Sequence, residues 1–156
     1  MSADRIEREI DIDAPIEVVW EVVTSPRHIT GWFVDAAELE LRPSGAGRFS
    51  WDEKATNRAA VVNVRVETVD PPHRFAFRWD FPTGAMPDET NAPLVEFALE
   101  EHGGGTRVTI VESGLATISR SDEARAAYFD DHAKGWPQIG ARLRAYAASQ
   151  AGAVAT

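Results

Sequence analysis

The sequence contains no cysteine. That excludes disulfides, thiol nucleophiles and thiolate metal sites, and it fits a cytoplasmic home. Positive charge is also scarce: 16 Lys and Arg stand against 25 Asp and Glu in 156 residues, a formal net charge of −9. Phosphate binding needs a basic face, so no nucleic acid is expected as a partner, and anionic membrane surfaces are disfavoured. No apolar run approaches the roughly 18 residues of a membrane span, and Met1–Asp13 reads as too charged for a signal peptide. No membrane insertion is expected. Catalytic signatures are missing too: there is no Gly-x-Ser-x-Gly elbow, no Walker loop and no Gly-x-Gly-x-x-Gly. His28, His73, His102 and His132 lie far apart without a His-Glu-x-x-His pattern, so neither a metal nor a cofactor is expected.

What remains is an ordinary globular balance, 44% hydrophobic and 26% charged, in a chain of a length that suits one domain. Ile6, Ile10 and Ile12 alternate with polar residues over Arg5–Asp13, the pattern of a strand with one buried face. Pro15 then presets a helical turn, and Ile16, Val19, Trp20 and Val23 recur at helical spacing. Ser25-Pro26 restarts the pattern for a second short helix ending near Gly31. From Ala37 to Ile110 the signal is almost entirely strand. Phe49 and Trp51 alternate, as do Val62, Val64 and Val66, and Phe75, Phe77, Trp79 and Phe81. Val95, Phe97 and Leu99 face Val108 and Ile110 across the Gly103-Gly104-Gly105 turn. Pro82–Pro93, with three prolines and a glycine, reads as a long loop.

The last element is helical. Ser121-Asp122-Glu123 supplies a cap and an acidic first turn, and helical spacing persists to about Ala148. Phe129, His132, Trp136, Ile139, Leu143 and Tyr146, spaced by alternating threes and fours, share one face. Pro137 inside this run predicts a kink or a missing hydrogen bond. The reading is a single α+β domain over residues 1–148 with a disordered tail over 149–156. Its architecture is a curved antiparallel sheet of six to seven strands around one long C-terminal helix, with two short helices after the first strand. Sheet curvature and helix width seldom match, which predicts an apolar pocket between them.

Several motifs occur in a characteristic order. They are Asp13-Ala14-Pro15-Ile16-Glu17-Val18-Val19-Trp20, Trp32-Phe33, Gly45-x-Gly47-x-Phe49, Asp70-Pro71-Pro72-x-Arg74, Gly105-Thr106-Arg107-Val108-Thr109-Ile110, Glu112-Ser113-Gly114-Leu115 and Gly135-Trp136. Together they resemble the START-like (SRPBCC, birch-pollen-allergen-like) superfamily, and within it homologues of the activator of the heat-shock-protein-90 ATPase. The resemblance runs from about Ile6 to Tyr146 and implies a helix-grip fold with a hydrophobic cavity. Members include ligand carriers, aromatic cyclases, hydrolase-like proteins and co-chaperone domains, so fold alone does not assign function.

Two residues are candidates for acid–base chemistry. His132 sits between Phe129 and Trp136 on the inward helical face, where it would donate to a ligand carbonyl or shuttle a proton. The plain alternative is a helix-edge histidine bonded to backbone or water. Glu112 follows Val108 and Ile110 in phase and so points inward if the strand continues; if the strand ends at Ile110, Glu112 is solvated. Arg125, on the same helical stripe, would guard the cavity mouth or pair with a carboxylate, or simply lie on the surface. Trp32, Phe33, Trp51, Phe77, Trp79, Phe97, Phe129 and Trp136 are candidate ligand-lining aromatics, each also readable as plain core. Trp32 and Phe33 are expected at the cavity entrance, whereas Arg78 and Asp80 fall on the solvated phase.

Two functional readings follow. The first is a binding protein for a small hydrophobic or aromatic molecule, with modest acid–base catalysis of the polyketide-cyclase kind if His132 or Glu112 faces the cavity. The second is a protein-interaction module acting on a chaperone or other stress-response partner, a reading that surface exposure of Trp32, Phe33 and the Pro82–Pro93 loop would favour. A homodimer is a third arrangement that the sequence leaves open.

Overall fold

A computed structural model describes residues 4–53, 58–79, 86–116 and 120–155. Strand β1 (Arg5–Ile12) leads into the short helices α1 (Ile16–Thr24) and α2 (Pro26–Ile29). Strands β2 (Ala36–Leu39), β3 (Ala46–Glu53), β4 (Arg58–Asp70), β5 (Arg74–Trp79), β6 (Leu94–His102) and β7 (Gly105–Ser113) follow, and helix α3 (Asp122–Ala155) completes the domain. The strands form one antiparallel seven-stranded sheet in the order β1-β7-β6-β5-β4-β3-β2. This is the α+β helix-grip architecture that the alternation and the single long helix predict.

Local chemistry explains the joints. Gly103 and Gly104 form the two-residue turn between paired His102 and Gly105, and their φ values of 58° and 84° are the left-handed pair that a tight hairpin requires. Period-2 alternation sends Phe49, Val64, Phe77, Phe97 and Ile110 to the concave face, each at most 1% exposed. Ser121 caps α3, its Oγ accepting from the Ala124 amide at 3.1 Å. The helix then crosses the concave face, burying Trp136, Leu143 and Ala147 and partly burying Phe129, Ile139 and Tyr146. It continues through Pro137, which has no amide proton to offer the Ala133 carbonyl. Close approach fixes where it lies: a Cβ on Gly140 would sit 2.8 Å from Ile10 Cδ1, and one on Gly31 would sit 2.3 Å from the Tyr146 ring. Tyr146 also hydrogen-bonds His28 Nδ1 at 2.8 Å, tying α2 to α3.

The structure differs from the sequence reading in two places. Helix α3 runs to Ala155 instead of ending near Ala148. Ala151, Ala153 and Ala155 are strong helix formers, and the helix runs on through Gly152. Trp32 and Phe33, expected where the resembling fold has its cavity entrance, are only 3% and 5% exposed. Trp32 donates its indole N–H to the Val22 carbonyl at 2.9 Å and stacks on Phe33 with ring centroids 5.1 Å apart, so the pair closes the core beneath the short helices. On the convex face, Arg78 donates to the Ala92 carbonyl at 3.0 Å and lies 3.3 Å from Glu67. Asp80, Phe81 and the first part of the Pro82–Pro93 loop lie outside the described residues.

Candidate functional site

Strand β7 alternates without a break to its end, with Thr106, Val108, Ile110 and Glu112 buried in succession. Glu112 stands opposite Ile6 of β1 and Val95 of β6, so the strand is held on both sides past Ile110. The carboxylate therefore points into the protein, where it is 0% exposed. An ionised carboxylate in such a place is strongly unfavourable unless hydrogen bonds replace its water.

Those replacements are present. Oε1 lies 2.7 Å from His132 Nδ1 and accepts from the Trp136 indole N–H at 3.0 Å. Oε2 accepts from the Trp79 indole N–H at 2.7 Å and, more weakly, from the Tyr128 hydroxyl at 3.4 Å. An indole N–H can only donate, so the two tryptophans require acceptor oxygens. A carboxyl group offers about four lone-pair positions, and two indole N–H groups, the Tyr128 hydroxyl and His132 Nδ1 meet them.

His132 is the outer member of this group. Its side chain is 17% exposed, Tyr128 stacks on its ring at 3.8 Å between centroids, and Trp79 meets it edge-on at 5.2 Å. Nδ1 is committed to Glu112, so the histidine is bonded neither to backbone nor to water there. Nε2 makes no hydrogen bond among the described residues and is not one of their sealed, unpartnered atoms. Carboxyl, imidazole and an outward-facing second nitrogen form an arrangement in which the buried acid fixes the ring and leaves Nε2 open.

The sequence-chosen residues separate into two groups. Glu112, His132, Trp79 and Trp136 come together, and Phe129 lies on the same stretch of α3, partly buried. Trp51, also partly buried, packs its ring 6.2 Å from Trp79 and donates its indole N–H to the Phe33 carbonyl at 3.2 Å. Trp32, Phe33, Phe77 and Phe97 form a packed floor below, linked ring to ring through Phe33–Trp136, Trp32–Phe97 and Phe77–Phe97 at 5.8–6.3 Å. Arg125 holds the start of its own helix, bonded to Asp122 and to the Arg120 carbonyl. Sequence reasoning missed Tyr128. It precedes His132 by four residues, one helical turn, and that spacing was the available signal.

A separate depression of about 330 Å³ lies at the opposite end, between the start of α1 and the β6–β7 turn, lined by Ile16, Glu17, Glu101 and His102. Among the described residues no group of three or more His, Asp or Glu is placed to hold a metal ion, and no helix is long and apolar enough to cross a membrane.

Solved structures share this fold. DynU16, a protein of the dynemicin biosynthetic locus, superposes with a TM-score of 0.71 at 24% identity, covering 92% of this chain and 47% of its own. This chain thus spans about half the length of DynU16. CalU16 from Micromonospora echinospora gives a TM-score of 0.64 at 21% identity, covering 94% of this chain and 77% of its own. The Aha1 dimer from Colwellia psychrerythraea, solved in solution, gives 0.70 at 15% identity over 91% of this chain and 94% of its own. No curated protein matches closely enough to count as a relative. At these identities the likeness establishes a START-like fold and nothing finer. The family model described as Activator of Hsp90 ATPase homolog 1-like protein matches residues 13–148, most of the chain, and the protein belongs to that family.

Proposed function

We propose that this chain binds a small, largely apolar molecule at the end of the sheet where α3 begins, with His132 Nε2 as its polar contact. One observation carries the reading: a buried carboxyl group holds a partly exposed imidazole and leaves its second nitrogen without a partner among the described residues. Aromatic rings flank that nitrogen, and aromatic side chains with a few convergent polar groups suit a small-molecule site. The same imidazole is placed to take or give a proton, so modest acid–base catalysis on the bound molecule belongs to the proposal. Exposed Trp32 and Phe33 would have favoured the chaperone-partner reading, and both are buried.

Tryptophan fluorescence tests this, since Trp51, Trp79 and Trp136 all lie near the site. The purified protein is titrated with a panel of fatty acids, sterols and aromatic polyketides, with His132→Ala beside it and thermal unfolding to establish that the variant is folded. Saturable quenching at micromolar ligand, weakened by the substitution, is expected. A panel without one saturable ligand would overturn the proposal and turn attention to protein partners.

A further inference from the structure

The hydrogen bonds around Glu112 fix the direction of the one between Glu112 and His132. Trp79 and Trp136 present indole N–H groups to opposite oxygens of the carboxylate, at 2.7 and 3.0 Å. Neither indole can accept, so each oxygen is held as an acceptor. With Glu112 as a carboxylate, which has no proton to give, the contact of His132 Nδ1 with Oε1 at 2.7 Å needs the proton on Nδ1. In a neutral imidazole only one nitrogen carries a proton, which leaves Nε2 a bare acceptor.

We infer that the site takes a ligand that donates a hydroxyl, a phenol or enol on a flat apolar skeleton, to His132 Nε2, and that Glu112 is the positioning residue that makes His132 an acceptor. This rests on the ligand reading above and adds the polarity of the contact. A ligand carbonyl would set acceptor against acceptor. A carboxylate ligand would bring a second negative charge towards a buried one, in a chain of net charge −9. A flat skeleton suits the surroundings, where Tyr128 stacks on the imidazole and Trp79 meets its edge.

The chemistry this allows is a single proton transfer. The ligand O–H bond breaks and an Nε2–H bond forms. The electron pair stays on the ligand oxygen as phenolate or enolate, and the new imidazolium faces the Glu112 carboxylate through Nδ1–H. No further reactant is needed.

Two measurements on the full chain test the inference. The first is long-range ¹⁵N NMR of the imidazole rings at about pH 8.5, roughly two units above the ordinary histidine value. His132 is expected with Nδ1 protonated and Nε2 bare, and Glu112→Gln is expected to lose that preference while His28, His73 and His102 keep theirs. A wild-type His132 protonated on Nε2 overturns the inference whatever binds. If the Gln variant fails to fold, the wild-type spectrum still decides. The second compares probes of one ring system at the same pH: 2-naphthol, 2-methoxynaphthalene and 2-acetylnaphthalene, followed by tryptophan fluorescence. 2-Naphthol is expected to bind about tenfold more tightly or better, a factor worth roughly 1.4 kcal/mol. Equal binding by all three overturns the inference and leaves the ligand reading intact. Binding by none of the probes, and by none of the broader panel, overturns both.

Discussion

Strands β1 and β7 carry two acidic hydrogen-bonding groups on opposite faces of the same ribbon. On the outer face Asp11 stands opposite Arg107, which reaches its two oxygens at 2.8 and 3.3 Å. On the inner face Glu112 stands opposite Ile6 and meets its nearest donors at 2.7 Å. The distances are nearly equal, so distance does not rank the two sites. Water does. The Asp11 side chain is 56% exposed and exchanges the guanidinium for solvent at little cost, whereas Glu112 is 0% exposed and has only its protein donors. The same kind of bond is replaceable on one face and indispensable on the other.

The largest effect is expected from Glu112→Ala. It leaves two buried indole donors without an acceptor, together with His132 and Tyr128, and should cost about 3–5 kcal/mol in urea unfolding. A loss below about 1 kcal/mol would mean that water reaches the carboxylate and that the contrast between the faces is false.

Next come two matched tryptophan substitutions. Trp136→Phe and Trp32→Phe each keep most of a buried ring and remove one N–H, bonded to Glu112 in the first case and to the neutral Val22 carbonyl in the second. Hydrogen bonds to charged groups contribute roughly 1.5–3 kcal/mol and neutral ones about 1, so Trp136→Phe should be the more destabilising. Equal losses in urea unfolding would show that the charge adds nothing. Tyr128→Phe is expected to cost less than about 1 kcal/mol, because its bond is long at 3.4 Å and its ring stays in place over His132.

The smallest effect belongs to the outer face. The hydrogen bond from Arg107 holds the Asp11 carboxyl below its ordinary value of 3.8, with desolvation acting the other way. A carboxyl whose folded value is depressed adds stability above its unfolded value and loses it as pH falls through the folded one. Arg107→Ala should therefore differ from wild type only slightly near neutrality, by an amount that fades below about pH 4 and in high salt. A difference that grew on acidification would reverse the assignment.

Much of this site was legible because strands and helices have fixed periods. Alternation through Val108 and Ile110 carried Glu112 inward, and the three-and-four spacing brought His132 and Trp136 to the same interior. What periodicity cannot encode is the direction of a polar atom on a large ring. Trp79 and Trp136 were readable as apolar lining, yet their N–H groups turn onto one carboxylate, a choice made by rotamer and packing. Tyr128 escaped because it sits one position off the apolar stripe and joins the site through its hydroxyl and ring face. The burial of Trp32 and Phe33 depended on how the short helices close over the sheet, a tertiary outcome without a local signal.

The most direct test is the NMR signature of the indole N–H groups of Trp20, Trp32, Trp51, Trp79 and Trp136. Donors locked onto a buried carboxylate should resonate downfield and exchange slowly with water. Trp79 and Trp136 are expected to show this, and Glu112→Gln should move both signals while leaving Trp32, bonded to the Val22 carbonyl, in place. Fast exchange at Trp79 and Trp136, or signals indifferent to Glu112→Gln, would contradict that pairing.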